Sequence, residues 1–414
     1  MGKIIAAIRS GHAPTLLMAF LHFDISFMIW VMIGALGIFV SKDLHLSVAQ
    51  KGLAVSVPLL GGAFFRIILG LLVDRFGPKR IGVASLSILL IPLAWGWQGV
   101  HSFPALLGVG FLLGIAGASF AVALPLASRA YPAEHQGIAM GIAGAGNSGT
   151  MIAVLLAPLL AQSMGWHAVF GLAMFPVVIV LLLFTFLAKE PAGRPAPSAN
   201  LLGLLKQSDL WWFNFHYSVT FGGFVGLSSF LSIFFNDQYH LPAVTAGGWT
   251  ALSVFAGSFF RPIGGYLADR VGGAKVRTFL YLGVMILFGS IAFLPPLPLA
   301  LVLFFCGMAL LGMGNGAIFQ EIPQRFREEI GMVSGIVGAA GGVGGFFLPT
   351  LLGRIKGFSG SYAGGFLFFA AIAFVAFLSL VLRSRSVVEP VLAPSGGAPM
   401  EEGGRIRMEV VFGG

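Results

Sequence analysis

The sequence is poor in charge. Only 9% of its 414 residues are Asp, Glu, Lys or Arg, while 57% are hydrophobic; a soluble domain averages about 25% charged residues. The apolar residues come in runs of about 20, long enough to cross roughly 30 Å of hydrocarbon as a helix. This composition excludes a soluble globular fold and predicts an all-α, polytopic membrane protein.

Cysteine and clustered catalytic groups are also scarce. Cys306 is the only cysteine, so the chain can form no internal disulfide. The sequence contains neither a His/Glu cluster with metal-ligand spacing nor a plausible pair of nucleophile and base. We therefore expect no enzyme activity, no metal and no cofactor.

Hydrophobic runs between charged or Pro- and Gly-containing breaks predict twelve membrane spans. They lie near 15–40, 52–73, 81–99, 103–128, 137–162, 167–188, 210–235, 243–268, 276–295, 298–320, 331–353 and 361–382. The first run is too long for a signal-peptide core and lacks a convincing small-residue cleavage site, so we expect it to be retained.

The distribution of basic residues predicts the orientation. Of the 24 Lys and Arg, 18 fall on the N-terminus, the even-numbered loops and the tail, and only four on the opposite loops: Lys42, Lys51, Arg354 and Lys356. Basic residues are enriched on the cytoplasmic side of membrane proteins, so we expect both termini in the cytoplasm. We expect the protein to lie in the inner cell membrane. The net charge of +9 then reflects topology and contact with anionic lipid, and we expect no nucleic-acid binding.

Two stretches of the sequence repeat at a distance of 195 residues. GAFFRIILGLLVDRFGPKR at 62–80 and GSFFRPIGGYLADRVGGAK at 257–275 share ten of their first sixteen positions. Such a repeat predicts a chain built from two homologous halves. Because each half holds six spans, both enter the membrane in the same orientation, with a substrate site near the midplane between them.

The composition places the boundaries of these halves. We expect an N-terminal six-helix half at 1–188, a polar cytoplasmic linker at 189–209 and a C-terminal six-helix half at 210–385. The Gly- and Pro-rich tail at 386–414 is predicted to be disordered and cytoplasmic.

A short acidic and basic loop closes each copy of the repeat. The loops contain Asp74 and Arg75 in the first half and Asp269 and Arg270 in the second, each flanked by glycines. This pattern resembles the signature loop of the major facilitator superfamily. The resemblance implies the fold of that superfamily and a cytoplasmic gate at these four residues, and it leaves the substrate open.

An arginine lies inside an apolar run of each half. Arg66 and Arg261 each precede the loop aspartate by eight residues, which is about 12 Å along a helix. Both are therefore expected near the midplane, where a charged side chain costs at least roughly 2.5–3.5 kcal/mol and should face a cavity or a partner. Salt bridges would require acids at similar depth, and the spans offer few beyond Asp24 and Glu321. We expect instead that the two arginines bind a small anion, because the guanidinium fork suits planar oxyanions.

Two glycine-rich segments lie in the predicted fifth and eleventh spans. Small residues at this spacing let helix backbones approach closely. AGAGNSG at 143–149 and GIVGAAGGVGGF at 335–346 resemble the two signature segments of the nitrate/nitrite porter family within that superfamily, and GMGNGAIFQEIP resembles its tenth helix. The match extends over most of residues 15–382.

The resemblance implies a set of substrate-binding residues. Arg66 and Arg261 would clamp the anion from opposite halves, and Asn147 in the first glycine-rich segment would hydrogen-bond it. HYSVTFGGF resembles the segment that lines the family's site with Tyr217 and Phe221, and Phe120 resembles a fourth-span aromatic. The chain has 40 Phe, so packing is the alternative role for Phe120.

These residues suit a flat, weakly hydrated, monovalent anion. Two guanidiniums, an amide and a phenol can replace its modest hydration shell, whereas sulfate or phosphate would need more donors and charge. We therefore expect a monomeric secondary transporter that moves nitrate, nitrite or both across the lipid bilayer by alternating access. A carrier of another small anion, such as formate or cyanate, remains an alternative.

Coupling to protons is a separate question. Asp24, in FDISFMIW of the first span, could carry a proton, pair with an arginine or simply join two helices. This segment looks more like that of proton-coupled members, which favours nitrate uptake by proton symport. Obligatory nitrate/nitrite antiport, which needs no proton-binding group, is the alternative.

Overall fold

The computed structural model describes residues 10–132, 135–190, 201–326 and 330–388. Within them, twelve helices are long and apolar enough to cross a membrane. Numbered span 1 to span 12, they are Ala13–Trp30, Val48–Phe76, Pro78–Gln98, Phe103–Arg129, Ala139–Met164, Trp166–Leu187, Ser208–Tyr239, Ala243–Val271, Gly273–Ile291, Leu297–Ile322, Met332–Ser359 and Ala363–Arg383. The predicted all-α architecture and number of spans are confirmed. Residues 191–200 of the linker predicted at 189–209, and residues 389–414 of the tail predicted at 386–414, lie outside the described residues.

The sequence repeat is also a structural repeat. Span 2, Val48–Phe76, and span 8, Ala243–Val271, begin and end 195 residues apart. His45 and His240, which precede these spans and share the same offset, both adopt left-handed backbone conformations, with φ of 49° and 55°. The two copies of the sequence therefore form matching helices and matching turns.

The halves meet along a few helices. Span 2 packs along span 11, span 5 against span 8, and the end of span 1 against span 7. Span 7 is the most enclosed of the twelve, while spans 6, 9 and 12 are among the least. We call the side that carries the loops after spans 2 and 8 the motif side, and the opposite side the far side.

On the far side the halves are in close contact. A Cβ on Gly34 would collide with the backbone of Ser229, and a Cβ on Gly52 would collide with the carbonyl of Pro349. In both places glycine lets the helix backbones touch. The far side is thus closed by direct packing of one half on the other.

On the motif side the same helices leave space. A Cβ added to Gly70 on span 2, to Gly141 or Gly144 on span 5, or to Gly335 on span 11 would meet no described atom of another helix within 4 Å. Gly70 lies one helical turn beyond Arg66 and so shares its face. The structure is therefore less tightly closed towards the motif side than towards the far side.

Four spans are interrupted along their length, and one of them is span 4, whose helix ends at Gly117 and resumes at Phe120. The helix of span 1 ends at Trp30 and continues as the shorter helices Met32–Ala35 and Gly37–Asp43. Span 5 contains a 3-10 turn at Ala145–Ser148. Span 8 breaks at Phe260, two residues before a proline, because proline cannot donate the backbone hydrogen bond that would continue the helix.

Candidate anion site between the two halves

Arg66 is held in place by backbone carbonyls from both halves. Its side chain is 1% exposed. Nε donates to the carbonyl of Gly117 at 2.9 Å, and Nη1 donates to the carbonyl of Gly338 on span 11. Nη2 is buried without a hydrogen-bond partner among the described residues. One end of the guanidinium is therefore fixed, while the other still offers donors.

Aromatic rings surround the same guanidinium. Its Cζ atom lies 5.3 Å from the ring centre of Trp30, 5.7 Å from that of Phe120 and 5.1 Å from that of Phe221. Ring faces attract a cation and exclude water. The rings supply no counter-charge, so they leave the charge of Arg66 unneutralised.

Arg261 reaches the site from the other half. It begins the helical segment Arg261–Val271 at the break in span 8, and it is only partly buried. Its Cζ atom lies 5.6 Å from the ring centre of Phe319, and its side chain lies beside the Tyr217 hydroxyl. The ring of Tyr217 stacks on Phe221 with centres 5.0 Å apart, so a continuous aromatic wall connects the two arginines.

Neither arginine has a carboxylate partner. In the part of the chain that the structure describes, the ion pairs do not include Arg66 or Arg261. Glu321 pairs with Arg277 at 2.6 Å. Asp24 accepts a hydrogen bond from Ser148 at 2.7 Å. The sequence left open the alternative that the two arginines form buried salt bridges. Among the described residues they do not form them.

Asn147 lies on the 3-10 turn of span 5, which packs against span 1 and against the part of span 8 that precedes Arg261. Its side chain is 1% exposed. Both Nδ2 and Oδ1 are buried, and no group within the described ranges forms a hydrogen bond with either. An unpaired buried amide is costly, so both polar atoms of Asn147 are left with unused hydrogen-bonding capacity.

Asp24 is next to this turn. A Cβ on Gly149 would collide with the carbonyl of Asp24, and a Cβ on Gly146 would lie 2.9 Å from its nitrogen. Together with the bond from Ser148, these contacts fasten span 1 to span 5. Asp24 therefore joins two helices of the N-terminal half. It forms no ion pair with Arg66.

The loop residues of the N-terminal half form a partial network on the motif side. Asp74 pairs with Arg129, at the end of span 4, at 3.2 Å. Arg75 lies over the ring of Phe76 at 5.3 Å. The backbone N–H of Arg80 near the start of span 3 donates to Glu190. The carboxylate that accepts a hydrogen bond near the start of span 3 is thus that of Glu190. Asp74 pairs with Arg129 instead.

The second loop is arranged differently. Asp269 is exposed and has no ion pair with any residue that the structure describes, and Arg270 lies over the ring of Tyr266 at 4.5 Å. In this half, Asp209 forms ion pairs with two arginines, Arg325 and Arg383. The repeated loop sequences therefore do not form repeated contacts.

The structure adds two site residues that the sequence did not single out. Trp30 donates from Nε1 to the carbonyl of Pro58 at 2.7 Å and packs on Arg66. Phe319 touches Arg261, Tyr217 and Phe120. Both lie in segments already noted, FDISFMIW and GMGNGAIFQEIP. The sequence feature that could have identified them is an aromatic residue close to the expected depth of the arginines. The carbonyls that hold Arg66 had no such signal.

Together these residues place unused hydrogen-bond donors beside aromatic rings at the interface of the halves. Arg66, Phe120, Tyr217, Phe221 and Arg261 are brought together, with Asn147 on the neighbouring turn. The unused donors belong to a permanent cation and an amide. A flat anion that accepts in its plane and packs on rings with its faces matches this geometry.

Comparisons with known proteins point in the same direction. Residues 18–349 match the family model described as the Major Facilitator Superfamily. The chain is 31% identical to the "Nitrite extrusion protein" of Bacillus subtilis (strain 168), covering 86% of this chain and 90% of that protein. It is 30% identical to the "Probable nitrate/nitrite antiporter NarK1" of Thermus thermophilus, covering 89% and 91%.

Further relatives extend the pattern. The "Probable nitrate/nitrite transporter NarK2" of Mycobacterium tuberculosis (strain ATCC 25618 / H37Rv) is 33% identical, covering 92% of this chain and 98% of that protein. Among solved structures, a bacterial homologue of the human lysosomal transporter Spinster, in an inward-facing and occupied conformation, superposes with a TM-score of 0.70 at 19% identity, covering 92% and 98%. That likeness concerns the fold alone. The chain is a membrane transporter and not an enzyme: it belongs to the Major Facilitator Superfamily and, within it, to the nitrate/nitrite porter family.

Proposed function

We propose that the protein carries nitrate, nitrite or both across the cell membrane by alternating access, with the anion bound between Arg66 and Arg261. The observation that carries this proposal is the unpartnered Nη2 of Arg66. It belongs to a fully buried cation that has no acid beside it in the described chain. A second cation, the partly buried Arg261, comes from the other half and also has no ion pair with a described residue. A small anion supplies both the missing charge and the missing acceptor.

The same contacts suggest how binding drives the change between the two states. Two like charges on facing halves repel each other, so the empty carrier resists closing around the site. An anion between them removes that repulsion and favours the occluded state. Arg66 already bonds across the interface to Gly338, so closure on the motif side needs to bring only Arg261 nearer.

The shape of the site favours a flat monovalent anion. Arg66 and Arg261 offer their donors along guanidinium edges, while Trp30, Phe221 and Phe319 present rings. A tetrahedral divalent anion would place oxygens against these rings. Nitrate and nitrite bind through their edges and leave their faces to the aromatic wall.

For coupling, we propose proton symport with Asp24 as the proton carrier. Asp24 is a carboxylate within the membrane without an ion pair in the described chain, and its Oδ1 accepts from Ser148, next to Asn147. An intramembrane acid of this kind is typical of proton relays. The second candidate is nitrate/nitrite antiport, which the name of the Thermus thermophilus relative favours and which the arginine pair alone would support.

The test is uptake of nitrate into liposomes that contain the purified protein, with either trapped nitrite or an inward proton gradient as the driving force. Symport predicts that the proton gradient drives uptake and that Asp24→Asn abolishes this dependence. Asp43→Asn is the control, because Asp43 also accepts a hydrogen bond from a neighbouring side chain, Trp166 at 2.9 Å, but is an exposed residue at the far-side end of the first helices.

Two other outcomes decide between the proposals. Uptake driven by trapped nitrite and indifferent to pH and to Asp24→Asn would make the protein an antiporter. Absence of nitrate movement under both driving forces, in protein shown to be folded, would refute the proposed substrate.

We further propose that the protein lies in the inner cell membrane as a monomer, with the motif side and both termini in the cytoplasm. The excess of Lys and Arg on that side supports the orientation. One chain supplies both arginines of the site, so transport does not require a second copy. The orientation is tested by labelling single cysteines with a membrane-impermeant reagent, in intact cells and in everted vesicles. The monomeric state is tested by the mass of the detergent-solubilised protein.

A further inference from the structure

A cavity of about 460 Å³ lies between the halves on the far side. It is lined by Ile38, Ser41, Lys42, His45, Leu46, Lys51, Ile233, Asn236 and Asp237. Lys51 precedes Arg66 by fifteen residues on span 2, about 22 Å along the helix. The cavity, which we call the far-side cavity, is therefore separate from the arginine pair.

Basic groups dominate its lining. Lys42, His45 and Lys51 face a single carboxylate, that of Asp237. Both oxygens of Asp237 are in use: Lys51 donates to them at 2.8 and 3.1 Å, and Tyr362 donates to one at 2.9 Å. This leaves the cavity with a surplus of positive charge.

The surplus resides on the ammonium of Lys42, because Lys51 is matched by Asp237. Lys42 and His45 are exposed to the cavity mouth and make no hydrogen bond or ion pair with the residues that the structure describes. By contrast, the nearby polar groups of Ser41 and Asn236 bond to backbone carbonyls. The groups that remain for a ligand are thus the ammonium of Lys42 and the imidazole of His45.

We propose that the far-side cavity is a second, low-affinity site for the transported anion, in which nitrate or nitrite is collected before it reaches Arg66 and Arg261. This inference rests on the proposed function. The ligand class follows from the charge: a cation would be repelled, and an apolar molecule would leave the ammonium of Lys42 without solvent. The volume exceeds that of one nitrate, so the anion is bound with water around it.

The position of Lys51 connects this site to the closure of the far side. Its ammonium forms part of the cavity wall and also holds Asp237 of the other half. An anion in the cavity competes with Asp237 for that ammonium and so weakens a contact that joins the halves. Arrival of substrate from the far side thereby promotes opening on the side where substrate is present.

The test removes the free ammonium and compares the two sides of the membrane. KM for nitrate is measured in right-side-out and in everted vesicles, for wild type and Lys42→Gln. We expect the far-side KM to rise about three- to tenfold, because one unit charge near the ligand is lost, with the motif-side KM and kcat unchanged. Arg354→Gln is the matched control, since Arg354 is an exposed far-side cation outside the cavity.

Charge restoration separates the ammonium from other effects of the substitution. In a Cys306→Ser background, Lys42→Cys is treated with a thiol reagent that adds an ethylammonium group or with one that adds a neutral methyl group. The cationic group should restore the low far-side KM and the neutral group should not. Equal effects of both groups would overturn the proposal.

Further outcomes separate this proposal from the one it rests on. An equal rise of KM for Lys42→Gln and Arg354→Gln would reveal general surface attraction and contradict a site in the cavity. An unchanged far-side KM in Lys42→Gln, with normal nitrate transport by wild type, would also overturn the cavity site alone. Failure of wild type to move nitrate would instead refute the proposed function.

Discussion

Replacing Arg66 by Lys keeps the charge and removes the fork. In the structure, two nitrogens of the guanidinium hold the carbonyls of Gly117 and Gly338, and the third nitrogen is left for a ligand. A Lys ammonium donates from a single atom. It cannot reach the two carbonyls and also bind an anion in the geometry that Arg66 offers.

The expected loss follows from the missing contacts. One hydrogen bond between charged groups contributes about 1.5–3 kcal/mol, and about 1.4 kcal/mol corresponds to a factor of ten in affinity. Loss of a single bond to the anion therefore weakens nitrate binding roughly tenfold to a hundredfold. Leaving one buried carbonyl without a donor adds a cost to the protein itself, so thermal stability should fall as well.

The assay is calorimetric titration of purified protein with nitrate, together with uptake into liposomes. Arg277→Lys serves as the control, because Arg277 is also 1% exposed but pairs with Glu321 away from the site. The control should bind nitrate as wild type does. If folded Arg66→Lys also bound nitrate with unchanged affinity, the role given to the guanidinium fork would be wrong.

Three further changes have defined outcomes. Gly341→Ala places a methyl group 2.8 Å from the rings of Tyr217 and Phe221. Overpacking of this kind costs about 1–3 kcal/mol. Initial uptake rates should therefore fall at least several-fold, while the protein still purifies as a single folded species. Tyr217→Phe removes one hydroxyl beside Arg261, worth about 0.5–1.5 kcal/mol, and should raise the Kd for nitrate roughly two- to tenfold in a binding titration; an unchanged Kd would mean that the hydroxyl does not touch the anion. Asp237→Asn breaks the ion pair to Lys51 that joins the halves, and at about 1 kcal/mol for a partly exposed pair it should increase the far-side-open population roughly fivefold, as measured by spin-label distances across the far side.

The sequence predicted the fold closely for physical reasons. A hydrocarbon environment demands long apolar helices, so hydropathy alone located the twelve spans. The 195-residue repeat reappears in the matching limits of span 2 and span 8. The position of Arg66 and Arg261 along their helices, eight residues before the loop aspartates, follows from the helix rise, and their depth in the membrane stays a prediction.

Contacts between distant spans were harder to predict. The position of a residue along a helix gives its depth but not the neighbour it meets, so the pairing of Glu321 with Arg277 and of Asp24 with Ser148 could not be read from spacing. Backbone carbonyls leave no trace in residue type, which is why the bond from Arg66 to the other half went unpredicted.

The helix breaks had weaker signals. Pro262 pointed to the break beside Arg261, whereas the 3-10 turn that carries Asn147 depends on the glycines around it and on how closely span 1 packs there. Among 40 Phe, choosing the ones at the site required the fold itself. Phe120 and Phe221 lie on Arg66, and Phe319 became recognisable only through its contact with Arg261.

The most direct test of anion binding between the two arginines is an experimental structure of the protein determined in nitrate at a concentration that saturates transport. We expect a flat anion between the two guanidiniums, within about 3 Å of Nη2 of Arg66 and of a donor on Arg261. Nitrate bound elsewhere, with that Nη2 still unoccupied, would contradict a site built on the arginine pair.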